Sequence, residues 1–244
     1  MFTRRSFLSS ARVALATLLG VVSFSCAGGT GPAGYVDPAV LVLERLLPPP
    51  PAPGSTAERV ELDELLKIQA ERTAAEADRA RDDATISIFR FGDALGSPVE
   101  FNAARLPRVA AFFEKIGEAE TAVVRPAKKH FGRKRPYDVE PRLRPVIGPP
   151  GSLAYPGGHA TWAFATALVL ADILPERRTE VLDRAEEYAR NRMVAGVHYR
   201  SDTDAGRISG SVLAAFLFAS PKFRADEKLA AVELRAALKL PPLP

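Results

Sequence analysis

Apolar positions recur at helical spacing along most of the chain. Val109, Phe112, Phe113 and Ile116 follow the i, i+3, i+4, i+7 pattern, which predicts a helix over 105–124, with Pro126 ending or kinking it. Ala160 to Leu174 is apolar on every side and reads as a buried helix stopped by Pro175. Glu176 to Ala195 is amphipathic and ends at Gly196. Asp202 caps a further apolar helix running to about Ala219, and Glu227 to Leu238 reads as a last, exposed helix. Nearer the start, Ser55 and Glu58 form a capping box for one long helix to about Asp82. Ala39 to Leu47 reads as a short helix, and Ile86 to Phe91 as a buried segment in helix or strand. Few segments alternate with period two, so the pattern predicts one all-α domain.

The first 27 residues have a different character. Arg4, Arg5 and Arg12 precede the apolar stretch Val13 to Phe24, and small residues follow at Ser23, Ser25 and Ala27. That order is the one of a secretory signal, and Thr3-Arg4-Arg5-Ser6-Phe7-Leu8 resembles a twin-arginine export motif. Cys26 is the only cysteine, which excludes an intrachain disulfide. It is either the lipid-anchored cysteine of a lipoprotein or part of a simple cleavage region near Ala27, since Ser23 and Phe24 depart from the usual lipobox. The expected organisation is an export signal over 1–27, a leader and proline-rich segment over 28–54, and a helical domain over 55–244. Gly28 to Pro38 reads as flexible, and Pro48 to Gly54 as a stiff spacer.

Composition narrows the function. The 244-residue chain has 25% charged and 47% hydrophobic residues, ordinary for a globular protein. Removing the signal, with three arginines and no acid, lowers the formal net charge from +4 to +1, so whole-chain charge gives no case for nucleic acid. After residue 27 no apolar run is long enough to span a bilayer.

Three clusters carry chemistry. Lys128, Arg135 and Pro136 lie in a basic run that on its own reads as a solvated surface. Tyr155-Pro156-Gly157-Gly158-His159 stands directly before the apolar helix, where glycines and helix amides favour an anion. In the third cluster, Val181, Ala185, Tyr188 and Arg192 share one helix face, so Arg192 points inward and needs an anionic partner. Gly196 then presents His198, and Asp202 lies one turn further, within reach of the Nδ1 atom of His198. Such a pair leaves Nε2 free to attack. An ordered match to Lys128-x6-Arg135-Pro136, Pro156-x-Gly158-His159 and Arg192-x5-His198-x3-Asp202 has a chance frequency of about one in a hundred thousand.

These motifs resemble the type 2 phosphatidic-acid phosphatase superfamily, which includes bacterial class A acid phosphatases and vanadium haloperoxidases. The resemblance is closest to the class A acid phosphatases. It extends over roughly 46–219 and includes Leu46-Leu47-Pro48-Pro49-Pro50-Pro51 and Ser201-Asp202-Thr203-Asp204-Ala205-Gly206-Arg207. It implies a compact helical domain of that type and hydrolysis of small phosphate monoesters through a phosphohistidine, with no metal and no cofactor. It also suggests a homo-oligomer. Carried over by position, Lys128, Arg135 and Arg192 would hold the phosphate oxygens, helped by the amides of Gly157 and Gly158. His198 would attack, Asp202 would orient it, and His159, as imidazolium, would protonate the leaving oxygen. His130, between Lys128 and Arg135, either lines the site or caps the preceding helix, the second being the expected role.

Two positions depart from the family, which usually has serine in place of Gly157 and of Asn191; weaker binding or slower turnover is expected. The rival readings are a vanadate-dependent haloperoxidase, a lipid-phosphate phosphatase and a phosphate-binding relative with weakened catalysis.

Overall fold

The computed structural model describes residues 34–96 and 101–243. The expected export signal over 1–27, with Cys26, lies outside the described residues. Eight α-helices are present among them: α1 (Thr56–Glu71), α2 (Ala74–Asp82), α3 (Pro107–Phe131), α4 (Pro136–Val139), α5 (Gly158–Ile173), α6 (Arg178–Val194), α7 (Arg200–Ala219) and α8 (Pro221–Ala237). Single 3₁₀ turns occur at Leu43–Arg45, Ile88–Phe91 and Pro175–Arg177, and no strand is found among the described residues. The all-α expectation holds.

Helix α5 is the axis of the fold. Trp162, Phe164, Val169, Leu170 and Ile173 are all buried, and the helix packs against α3, α6 and α7. A helix without a polar face can only be stable when surrounded. Glycine sets how closely α7 approaches it. A Cβ added at Gly210 would lie 2.5 Å from the Thr161 carbonyl oxygen, and one at Gly206 would lie 2.7 Å from the Gly157 carbonyl oxygen. The two backbones therefore touch, and that contact fixes the start of α5 against the start of α7.

Several elements differ from expectation. One long helix over 55–82 is instead two. Thr73 is extended and makes its own capping box with Glu76, so α1 stops at Glu71 and α2 begins anew. Arg72, at the break, donates to the carbonyls of Val194 (2.9 Å) and Arg144 (2.8 Å), which ties the α1–α2 corner to the end of α6. Pro126 does not end α3, which continues to Phe131 and stops at Gly132 with φ +63°. Proline removes the bond to the Ala122 carbonyl; Ala122 and Pro126 are both exposed, so water can take its place.

The expected short helix over 39–47 is reduced to the 3₁₀ turn Leu43–Arg45. The stretch read as a flexible leader packs into the core from Tyr35 onward, where Tyr35, Val36, Leu41 and Leu43 are buried. The last helix starts earlier than expected, at Pro221, and is not merely exposed: Phe223, Ala230 and Leu234 are buried.

Gly210→Ala should cost about 1–3 kcal/mol of unfolding free energy in denaturant titration, because the methyl has no room between α5 and α7. Gly148→Ala, with no heavy atom within 4 Å of the new carbon, should stay within about 0.5 kcal/mol.

Candidate active site

His198 is fully buried in the short link between α6 and α7. Gly196, at φ +76°, reverses the chain after α6 and turns the residues that follow back towards the core. The Nδ1 atom of His198 donates to Asp202 Oδ2 at 3.0 Å. The same carboxylate oxygen accepts the Tyr199 N–H at 3.0 Å. Asp202 is thus the third residue of α7 and binds back to its start, rather than standing before the helix as a cap. Its other oxygen accepts from Arg133 Nη1 at 2.7 Å. Arg133 is itself braced by Glu61 (2.7 Å) and lies 3.7 Å over the Tyr199 ring. With Nδ1 protonated, Nε2 carries the lone pair, and Arg135 Nη1 donates to it at 2.8 Å. Nε2 is therefore not free in this state.

The three cations of the motifs come together around this ring. Lys128, Arg135 and Arg192 are all buried, and all three push the imidazole of His198 towards its neutral form. None forms an ion pair with a carboxylate among the described residues; backbone carbonyls hold them instead. Lys128 Nζ donates to Leu153 (2.6 Å) and Ala154 (3.0 Å). Arg135 donates to Ser152 (2.8 Å) and Val197 (2.7 Å). Among the described residues Arg192 has one long contact, 3.4 Å to the Asp83 carbonyl, and its buried Nε has no hydrogen-bond partner. The inward stripe Val181, Ala185, Tyr188 and Arg192 is buried as its spacing requires.

Burial of neighbouring like charges shifts these groups. Lys128 is pushed down to about 7 by desolvation and then by Arg135. His159, in the first turn of α5, is pushed down to about 3 by desolvation and then by Arg192, although one edge of its ring reaches the cavity. His198 falls well below its usual value, again by burial first and Arg135 second. Both imidazoles are thus neutral in the anion-free protein at neutral pH. His159 Nε2 donates to the Ala84 carbonyl at 3.0 Å, which leaves Nδ1 as its basic nitrogen.

Two expectations need correction. The Gly157 amide does not face an anion: it donates to the Asp202 carbonyl at 2.8 Å. The first-turn amide of Gly158 has no partner within its own helix by geometry and remains available. A Cβ at position 157 would lie 2.9 Å from the Asp202 carbonyl oxygen, so the glycine belongs to the close approach of α5 and α7. Asn191 also points elsewhere, donating to Asp83 Oδ2 at 2.8 Å. His130 is exposed and packs edge-on against Phe131, outside the cluster.

Two contributors escaped the sequence reading. Arg133 lies in the same basic run, between Lys128 and Arg135, and its residue type alone assigns it no role. The segment Asp83-Ala84-Thr85 presents three consecutive carbonyls, to Arg192, His159 and Tyr188. It is fixed by the fully buried Asp83 carboxylate, which accepts from Arg184 at 2.5 Å and from Asn191. Backbone acceptors leave no trace in residue identity, so only the acidic residue at the end of α2 was there to be read.

A dianion that keeps its charge, such as sulfate, should bind progressively more weakly between pH 7 and 9, by at most about tenfold per unit, as Lys128 loses its proton. Isothermal titration should show this decline in the native protein, and weak, flat binding in Lys128→Met. Asp83→Ala should cost about 3 kcal/mol of stability by leaving the Arg184 charge buried without its nearest partner, read by denaturant titration.

Residues 118–226, which include all three motifs, match the PAP2 superfamily. An acid phosphatase of Zymomonas mobilis subsp. mobilis is 33% identical over 150 residues, 59% of this chain and 56% of that protein, so the match spans little more than half of that relative. A non-specific acid phosphatase of Providencia stuartii is 30% identical over 190 residues, 73% of this chain and 75% of that protein. Among solved structures, a bacterial vanadium-dependent iodoperoxidase shares the fold, with TM-score 0.54 and 19% identity over 70% of this chain and 52% of that one. The chain belongs to the PAP2 superfamily, and the relatives it matches at 30–33% identity are acid phosphatases.

Proposed function

We propose that this protein hydrolyses small phosphate monoesters through a phosphohistidine on His198, without a metal ion, as an exported enzyme. The observation that carries this reading is a buried nucleophile beside three buried cations that form no ion pair with a carboxylate among the described residues. Such a cluster is costly unless an anion completes it, and a phosphoryl group offers three oxygens to three cations. Export rests on the order of charged, apolar and small residues over 1–27, outside the described structure.

The steps follow from the hydrogen bonds. As phosphate enters, Arg135 exchanges His198 Nε2 for a phosphate oxygen, which frees the lone pair. Nε2 then forms a bond to phosphorus while the bond from phosphorus to the ester oxygen breaks, and Asp202 stabilises the charge that develops on the ring. The ester oxygen needs a proton. His159 is neutral in the free protein because cations surround it, and a bound dianion offsets those cations. The ring therefore gains a proton together with the substrate and delivers it from Nδ1, since Nε2 is committed to Ala84. In the second half, water attacks phosphorus and gives its proton to His159, the P–N bond breaks, and His198 is regenerated with inorganic phosphate.

Purified protein should release phosphate from para-nitrophenyl phosphate in the presence of chelator, and His198→Ala should lower kcat by about a thousandfold or more. Acid-unstable, alkali-stable label on the protein after rapid quench with radiolabelled substrate, absent in His198→Ala, would identify the intermediate. Activity lost on chelation and restored by a divalent cation would refute the metal-free route.

A further inference from the structure

A cavity of about 550 Å³ opens beside the phosphate cluster, with Lys128 and His159 on its wall. Ile86, Val124 and Leu153 give it an apolar lining, and Glu120 supplies a carboxyl group. Glu120 is only 5% exposed, on the inner face of α3 two turns before Lys128. One of its oxygens, Oε2, accepts from the neighbouring Thr121 hydroxyl at 3.1 Å. The other, Oε1, has no hydrogen-bond partner among the described residues. It reaches the start of α5 because residue 158 is glycine: a Cβ there would lie 2.8 Å from it. With no protein partner, that oxygen is left facing the cavity, where a ligand hydroxyl can reach it. None of the hydrolytic steps above uses it.

We propose that this cavity takes the alcohol half of a polyol or sugar phosphate, and that Glu120 Oε1 pairs with one of its hydroxyls. The proposal rests on the hydrolytic reading and names its substrate class. The geometry suits it: the phosphate sits at the cations, the ester oxygen faces His159, and the carbon skeleton extends along the apolar wall to the carboxyl. Burial pushes Glu120 up to about 7, and a carboxyl group pairs with a hydroxyl in either state, as acceptor when ionised and as donor when protonated. A purely apolar alcohol would leave it buried and unpaired, which is how a site discriminates against an analogue lacking a hydroxyl.

Glycerol 1-phosphate and propyl phosphate have the same carbon count and differ in two hydroxyls. The native protein should favour glycerol 1-phosphate by about tenfold or more in kcat/KM. Glu120→Leu should remove most of that preference by lowering kcat/KM for glycerol 1-phosphate, with propyl phosphate within about twofold of native. Glu120→Gln, which still pairs with a hydroxyl, should retain most of the preference. A native ratio near one, or a ratio unchanged in Glu120→Leu, would overturn the proposal, as would equal loss on both esters, the mark of a merely structural carboxyl at the α5 terminus. Should Glu120→Leu not fold, Glu120→Ala, which also cannot pair with a hydroxyl, makes the same comparison, with loss of the preference expected and an unchanged ratio overturning the proposal. Should the native protein hydrolyse neither ester nor para-nitrophenyl phosphate, the hydrolytic reading fails instead. Calorimetric binding of the two esters to native protein and Glu120→Gln then tests the carboxyl by itself.

Discussion

Three positive charges are kept inside a helical core without carboxylate partners, and much of the architecture around them follows from that constraint. Lys128 and Arg135 come from one basic run and Arg192 from the end of α6, and they are held by carbonyls at Ser152–Ala154, Val197 and Asp83. Neutral dipoles can orient a cation without cancelling its charge. A carboxylate partner would satisfy each side chain and leave no excess positive potential for a ligand. The one arginine of the basic run that is paired, Arg133, shows the alternative: Glu61 and Asp202 hold it, and it supports the His198–Asp202 pair from behind. The same run thus divides its arginines between structure and site, according to which acids they meet.

Holding cations this way demands that the carbonyl-bearing segments be fixed more firmly than ordinary loops. Tyr155 anchors the Ser152–Ala154 segment by donating to the Pro48 carbonyl at 2.5 Å, which gives the proline-rich stretch a part in the site rather than a spacer's role alone. The Asp83 segment is locked by a buried network with Arg184, Arg90 and Asn191. The third constraint is the glycine contact between α5 and α7. His159 begins one of these helices and His198 immediately precedes the other, so the separation of the two imidazoles follows from how closely Gly157, Gly206 and Gly210 let the backbones approach. The small residue at position 157 is explained by that contact. Its lost hydroxyl is the consequence, and the amide it keeps is spent on Asp202.

The sequence was most legible where a side chain reports its own environment. The inward path of Arg192 followed from the apolar stripe Val181, Ala185 and Tyr188, because a helix face is a periodic property. The His198–Asp202 pair followed from a spacing of one turn, and the burial of α5 from its lack of a polar side. Reading failed where the deciding partner is distant or has no side-chain signature. The Ala84 carbonyl that sets the tautomer of His159 is invisible in residue identity, and so is the Asp202 carbonyl that takes the Gly157 amide. Arg133 could be separated from its neighbours only by knowing that Glu61 comes to meet it. The break between α1 and α2 was there to be read, since Thr73 and Glu76 form a capping box as plain as that expected at Ser55. Continuous helical composition across 55–82 outweighed it. Pro126 misled in the opposite direction, because the cost of proline within a helix depends on whether the freed carbonyl meets water.

Under the proposed mechanism, the depressed basicity of His159 serves the acid step instead of hindering it. An imidazole that was protonated in the free protein would add a fourth charge to the cluster and leave its proton open to exchange with solvent before substrate arrived. Surrounded by cations, the ring stays neutral until an anion offsets them, so acid and substrate appear in the site together. The same logic governs Lys128, whose lowered value makes its charge conditional on an occupant at mildly alkaline pH. Arg192 differs: although burial pushes it down to about 10, it remains charged throughout the neutral range and supplies the constant part of the field. Under the proposed mechanism, Arg135 and Arg192 are the permanent charges that attract the anion, and Lys128 and His159 are the two groups that titrate in response to it.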